Sequence, residues 1–203
     1  MVDQKREDPQ QAHAEPAARV MTTAMLKAFA NPLRRDMMRV FARREFARAA
    51  DIAQDLGEPA NKISFHLRVL AEAGLIVEAP EKARDSRDRV WTPIQESLNV
   101  GTPHDPVADA ALGGAVIAAI AEDHQKLLQR VVSYTIEAMS GRDRDIGTRG
   151  TLSVANVRLT EEEFVQLHAA MSRLISRAEE AHDRSDPTGR VWQIDILAAD
   201  ETI

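Results

Sequence analysis

Between Asn61 and Leu70 the chain sets Asn61, Lys62, Ser64, Phe65, His66 and Arg68 around three aliphatic residues, Ile63, Leu67 and Leu70. Aliphatic residues at i, i+4 and i+7 make one side of a helix apolar, which leaves the other six on or beside the opposite side. Amide, hydroxyl, imidazole and guanidinium groups are the donors and acceptors that read base edges, and Lys and Arg are the cations that neutralise phosphates. The competing reading is that each polar group is merely solvated. Phe65 has an alternative place in a core, although the 63/67/70 stripe puts it on the other side. A second group of cations, Arg84, Arg87 and Arg89, falls in the charged run Glu81–Arg89. These suit contacts to a sugar-phosphate backbone or minor groove, with Asp85 and Asp88 expected to weaken their field.

Other chemistry is poorly served. The chain has no cysteine, so disulfides, thiolate metal sites and cysteine nucleophiles are excluded together. Glu122-Asp123-His124 holds an acid-x-His pair, and a single His beside acids on a helix is usually a solvated or interface residue. His168 and His182 lack ligand residues at i+4, and His13 and His104 fall in expected loops. Glu161, Glu162 and Glu163 follow Thr160, and Thr-x-x-Glu is a capping box whose acids favour the helix dipole rather than catalysis. The expectation is no catalytic residue, no metal and no cofactor.

These residues need elements to hold them. Residues 1–15 read as a polar, mixed-charge arm without the apolar core of a signal peptide. Helical periodicity begins near Pro16, with Val20, Ala24, Leu26 and Phe29. Asn31 and Pro32 supply an N-cap and a first-turn proline for a second helix with the stripe Leu33, Met37, Val40 and Phe41. Ala49, Ile52, Ala53 and Leu56 mark a short third helix that Gly57 should stop, and Pro59 opens the fourth. Ile76–Ala79 and Val90–Thr92 are strand-like, joined through the charged run as a hairpin. A linker, Asn99–Pro106, precedes a long helix, residues 107–140, with Leu112, Val116, Ile120, His124, Leu127, Val131 and Met139 along one side. The tail, residues 150–203, reads as β-α-β. In it Leu152 and Val154 alternate with Ser153 and Ala155, Phe164, Leu167, Met171, Leu174 and Ala178 stripe a helix, and Trp192, Ile194 and Ile196 form a last strand. Small residues on the long helix (Ala110, Ala111, Gly113, Gly114, Ala118, Ala119) permit close helix approach, and its apolar side is expected to form a dimer interface. The alternative is a helix that packs within one chain.

Length and charge bound the rest. The chain has 203 residues, a 44% hydrophobic share and a formal charge of −6, which fits one or two globular domains. The charge is regional: residues 20–100 carry 13 basic and 11 acidic groups, whereas residues 101–203 carry 10 and 17. Acidity therefore belongs to the C-terminal half and does not argue against a polyanionic partner for the first half. The most apolar stretch, Ala110–Ala121, is about half the ~20 residues that a membrane helix needs. The expectation is a cytoplasmic protein with no membrane partner.

Helix, tight turn, helix and charged hairpin is the winged helix-turn-helix order. The runs Leu26-Lys27-Ala28-Phe29-Ala30-Asn31-Pro32-Leu33-Arg34-Arg35 and Asp51-Ile52-Ala53-Gln54-Asp55-Leu56-Gly57 resemble the arsenic-repressor-like (ArsR-type) winged-helix regulators. So does Ser64-Phe65-His66-Leu67-Arg68-Val69-Leu70-Ala71-Glu72-Ala73-Gly74-Leu75-Ile76, and the likeness covers about residues 17–95. It implies a DNA-binding, usually homodimeric regulator. Phe65 stands where many relatives have a basic residue, which suggests contact with thymine methyls. The turn Glu58-Pro59-Ala60-Asn61 replaces a commoner serine-rich one. Relatives that sense metals through thiolates are no guide here, and family spacing would put the partners of His124 at Thr135 and Ala138, neither a ligand.

The fold expected is mainly α with small β: arm 1–15, winged helix-turn-helix domain 16–98, long dimerisation helix 107–140, and β-α-β unit 150–203. The function expected is a homodimeric repressor on double-stranded DNA, with any small-molecule effector unknown. The competing class is a winged-helix interaction or assembly module whose acidic C-terminal half binds a partner.

Overall fold

The computed structural model describes residues 19–85, 88–96, 98–102, 105–140, 147–183, 186 and 188–202. The expected arm 1–15, the expected helical start at Pro16, and Arg87 and His104 lie outside them. The chain divides into two compact units, up to Glu122 and from Asp123 onward.

The first unit begins with strand β1 (Arg19–Val20) and helix α1 (Thr23–Phe29). The hydroxyl of Thr22 accepts from the Met25 amide at 3.2 Å, so this helix starts later than its periodicity suggests. Val20 is consequently a strand residue, and Ala24 is exposed. Helix α2 (Pro32–Arg44) starts at the expected cap, where Asn31 Oδ1 accepts from the Arg34 amide at 3.2 Å. Strand β2 (Ala47–Arg48) leads into α3 (Ala49–Leu56), which Gly57 ends in the left-handed conformation at φ +66°. Helix α4 (Ala60–Glu72) follows at once, because both the Gly57 and Glu58 amides donate to the Ala53 carbonyl.

Strands β3 (Ile76–Glu78) and β4 (Val90–Pro93) form the hairpin, with a single 3₁₀ turn at Pro80–Lys82 in its connection. β4 lies between β2 and β3 and is antiparallel to both, with Ala47 opposite Trp91 and Val77 opposite Thr92. Strand β5 (Leu98–Asn99) pairs in parallel with β1, Arg19 opposite Leu98. Neither strand was expected: Arg19–Val20 read as helical, and Leu98–Asn99 stood at the junction of the winged domain and the linker. The core under these elements is continuous: Leu26, Met37, Val40, Ile52, Ile63, Leu67, Leu70, Leu75 and Ile76 are all essentially inaccessible. Each such side chain stabilises the fold by about 1.5–3 kcal/mol relative to exposure.

Helix α5 (Ala110–Met139) begins in this unit and enters the same core through Val116, flanked by the half-buried Leu112 and Ile120. The side expected to meet a second copy is therefore, at this end, an intrachain packing face. Gly113 makes the approach possible, since a Cβ there would lie 2.8 Å from a methyl of Val107. A different row, Leu128, Val132 and Ile136, is exposed, and Met139 of the expected side is exposed too, at 81%. Periodicity alone does not choose between two apolar rows on one helix.

The second unit holds the rest of α5, helix α6 (Glu161–Ala181) and irregular segments on either side of α6. Thr160 and Glu163 form the expected capping box: the Glu163 amide donates to Thr160 Oγ1 at 3.2 Å, and the Thr160 amide donates to Glu163 Oε2 at 2.7 Å. The Thr160 amide and the Thr160 hydroxyl, which also donates to Glu163 Oε2 at 3.0 Å, hold the Glu163 carboxyl below its ordinary pKa. The expected strands do not form among the described residues. Segments 151–159 and 190–200 form neither helix nor strand, and α6 has no buried residue. A strand is defined by its ladder, and two strands divided by a helix rarely hold one another without a third neighbour.

Candidate nucleic-acid interface

Helix α4 turns Ile63, Leu67 and Leu70 into the core and leaves the intervening residues outward. Asn61, Lys62, Phe65 and Arg68 are exposed, and Ser64 and His66 are half-buried at the flanks. Phe65 is 56% accessible, which removes its alternative place in the core. Its ring meets that of His66 edge-on, with centroids 5.3 Å apart.

The polar groups of this face are held by local bonds. Asn61 Oδ1 accepts from the Lys62 amide at 2.9 Å, and Lys62 Nζ lies 2.9 Å from the Glu58 carboxylate one turn earlier. Ser64 Oγ donates to the Ala60 carbonyl at 2.8 Å. Arg68 Nε donates to the Ser64 carbonyl at 3.4 Å and faces no carboxylate among the described residues.

His66 is fixed by a residue outside the expected site. Arg34 Nη1 lies 3.3 Å from His66 Nδ1. A guanidinium can only donate, so Nδ1 accepts and the proton of the neutral ring sits on Nε2. Burial, then the charges of Arg34 and Lys62, push the His66 pKa below its ordinary value, so the ring is neutral at pH 7. Arg34 is itself anchored by donating to the carbonyls of Ala28 and Lys27 at the end of α1. The buried neighbour Arg35 does the same for Phe29 and Ala30, at 3.1 and 3.0 Å. The pair satisfies carbonyls that a short helix leaves open. Arg34-Arg35, in the first turn after the Asn31-Pro32 start, is the sequence signal for this role.

The hairpin meets α4 around a cavity of about 330 Å³, lined by Arg48, Ser64, Arg68, Asp88, Arg89 and Trp91 among others. Three of the expected residues, Ser64, Arg68 and Arg89, thus come together, and Arg48 joins them from β2. Arg48 pairs with Asp51 at 3.0 Å and with Asp88 at 3.6 Å. Arg89 pairs with Glu78 across the hairpin at 3.3 Å. Asp88 does more than dilute positive charge: its carboxylate accepts from the Arg84 amide at 3.2 Å, and its amide donates to Asp85 Oδ1 at 3.1 Å. The acids build the turn that presents the cations. Arg84 is exposed on that turn, and Arg87 lies outside the described residues.

Elsewhere the titratable groups remain scattered. Asp123 pairs with Lys126 at 3.3 Å, and His124 faces Asp195. No group of three or more His, Asp or Glu side chains gathers as a metal site among the described residues. No helix is long and apolar enough to cross a membrane among the described residues.

Residues 29–79 match a family model described as a helix-turn-helix domain. No curated protein matches the chain. Among solved structures, the chain is similar to an apo-form double mutant of ZitR from Lactococcus lactis, at 17% identity over 75% of this chain and 89% of that one, with a TM-score of 0.30. It is also similar to an S. aureus MepR variant bound to an oligodeoxyribonucleotide, at 17% identity over 74% and 78% of the two chains, TM-score 0.28. The element order, the packing of α3 on α4 and the match over residues 29–79 agree: the first unit carries a winged helix-turn-helix domain.

Proposed function

We propose that this chain is a sequence-specific transcriptional regulator of the ArsR type that binds double-stranded DNA as a homodimeric repressor. The observation that carries the reading is the outward row of α4, Asn61, Lys62, Phe65 and Arg68, set beside Arg48 and Arg89. A helix of this kind enters a major groove with its N-terminal half, and the hairpin cations lie alongside for the backbone. Neutral His66 presents Nε2–H as a donor, and Phe65 offers an apolar surface to a thymine methyl. The ArsR-type assignment rests on the motif residues from Leu26 to Arg35 and from Asp51 to Ile76. A dimer places two such helices on half-sites about one helical turn apart.

Fluorescence anisotropy with a duplex from the gene's own upstream region tests the reading, and a protection footprint gives the half-site spacing. Arg68→Ala and Arg87→Ala should each weaken binding by about 5- to 100-fold, and each lost phosphate contact should flatten the salt dependence by roughly one unit of slope. Unchanged affinity in both variants would remove the assignment. Salt-insensitive binding, or none, would favour the interaction-module reading.

A further inference from the structure

Helix α3 opens on a residue unsuited to the place. Arg48 is its N-cap, with extended backbone at φ −94° and ψ 164°. N-caps favour Ser, Thr, Asp or Asn, whose oxygens accept from first-turn amides, whereas a guanidinium can only donate. A cation there also faces the positive end of the helix dipole. The chain compensates with acids. Asp51, in the first turn, accepts from the Arg48 amide at 2.9 Å, from Nε at 3.0 Å and from Nη2 at 3.2 Å. The third nitrogen, Nη1, makes no hydrogen bond among the described residues and meets only the Asp88 carboxylate, at 3.6 Å. That is wider than the about 2.7–2.9 Å of an aligned charge-assisted bond. The Asp88 carboxylate is meanwhile engaged by the Arg84 amide at 3.2 Å. Asp51 thus fills one edge of the guanidinium, and Asp88 holds the other loosely.

The cavity beside this edge has a positive excess. Arg48, Arg68 and Arg89 line its volume of about 330 Å³, and Asp88 is the one acid in the lining. Arg68 faces no carboxylate among the described residues, and Glu78, the partner of Arg89, lies outside the lining. About a quarter of the Arg48 side chain, 26%, stays open to solvent. We propose that Nη1 of Arg48 takes a backbone phosphate of duplex DNA, and that Asp88 occupies this place in the free protein as a competing carboxylate. Asp51 stays on Nε and Nη2 in both states and so aims Nη1 into the cavity. A phosphate displaces only the loose contact, because Asp88 keeps the Arg84 amide and with it the turn. This accounts for an arginine at a position that helix formation disfavours. The inference rests on the DNA reading above, and it gives that interface a further contact and a built-in brake.

A double-mutant cycle in the full chain tests this. Serine is a good N-cap, so Arg48→Ser should hold or raise the melting temperature. It should nevertheless weaken duplex binding about tenfold or more, equally for all sequences, and flatten the salt dependence by roughly one unit of slope. Asp88→Asn keeps an oxygen for the Arg84 amide and removes the charge. Alone it should tighten binding about two- to fivefold, and beside Arg48→Ser it should change binding less than about 1.5-fold. Inorganic pyrophosphate, followed at the Arg48 Nε–H signal by NMR, probes the same place without DNA. Half-saturation should come at about two- to fivefold lower concentration in Asp88→Asn than in the wild type. A melting temperature that falls with affinity in Arg48→Ser would make Arg48 a structural residue and overturn the proposal. Equal tightening by Asp88→Asn in both backgrounds would mean general repulsion and overturn it too, as would an Arg48 signal that ignores pyrophosphate. A chain that takes pyrophosphate in the expected order but binds no duplex overturns the proposed function alone. Duplex binding that Arg48→Ser leaves unchanged overturns this inference alone.

Discussion

The two units spend similar apolar content in opposite ways. Up to Glu122, most aliphatic residues of four helices and a hairpin point inward, and Leu26, Ile52, Ile63 and Leu70 are wholly inaccessible. Beyond it, Leu174 is 65% accessible, Leu197 80% and Val154 83%. Composition does not separate the units; topology does. Four helices and a sheet close around a volume, whereas α6, the end of α5 and two segments unpaired among the described residues leave their apolar side chains at the surface. The first unit has a closed core, and the second leaves most of its apolar side chains at the surface.

Paired core substitutions could break this contrast. Leu67→Ala should cost about 2–5 kcal/mol in chemical denaturation, because a fully buried leucine leaves both lost burial and a cavity. Leu174→Ala, measured in dilute protein, should stay within roughly 0.5 kcal/mol. Equal losses would mean that the second unit has a core of its own.

The contrast sharpens within α5 at two adjacent glycines. A Cβ on Gly113 would press on Val107 at 2.8 Å, while one on Gly114 meets nothing within 4 Å. Both alanine variants gain the same helix propensity, so their difference isolates packing. Gly114→Ala should be the more stable by about 1–3 kcal/mol in thermal melts, and identical melts would show that α5 does not seat against the first unit as described.

Polar ties inside the first unit should give smaller effects. Arg44 holds Asp55 through two hydrogen bonds of 2.7 and 2.8 Å, and these keep the Asp55 carboxyl below its ordinary pKa. Asp51 is lowered in the same sense by its hydrogen bonds from Arg48. Lowered folded values mean that this stabilisation is complete above the unfolded pKa near ~3.9 and is lost as pH falls through the folded values. Asp55→Asn should cost at most about 1 kcal/mol at neutral pH, and the deficit should shrink in acid. A constant deficit across pH would assign the loss to packing.

The smallest effect concerns His66. Its lowered pKa makes its contribution to stability complete above the ordinary value of ~6.5 and lost as pH falls below it. Arg34→Ala should raise the His66 midpoint in an NMR titration, and an unmoved midpoint would show that Arg34 does not act on the ring.

What could be read in advance was local. Asn31 as a cap, Gly57 as a stop, the Thr160–Glu163 box and the 63/67/70 stripe depend on neighbours within a turn or two, and all four stand in the structure. The resemblance placed the outward residues of α4 for the same reason. What could not be read depends on distant partners. The β1–β5 pair joins Arg19 to Leu98 through two residues on each side, too short to leave a pattern. Arg48 has no distinguishing sequence pattern and comes beside Arg68 and Arg89 only because β2 lies against β4. The tail shows the converse case: alternation at residues 192–196 is a genuine property of the chain, but a strand also requires something to pair with.

That two-residue pair has a mechanical consequence. β1 and β5 run parallel, so the chain arrives at one end of the pair and leaves, toward α5, from the other. Tension applied between residues before Arg19 and residues after Asn99 would load the pair in shear, straining its hydrogen bonds together instead of peeling them one at a time. The Arg19–Glu96 ion pair at 3.1 Å and the Met21 amide on the Asn99 carbonyl at 2.9 Å share that load. A pull transmitted along α5 would therefore meet a clasp before it reached the helices that carry Arg68.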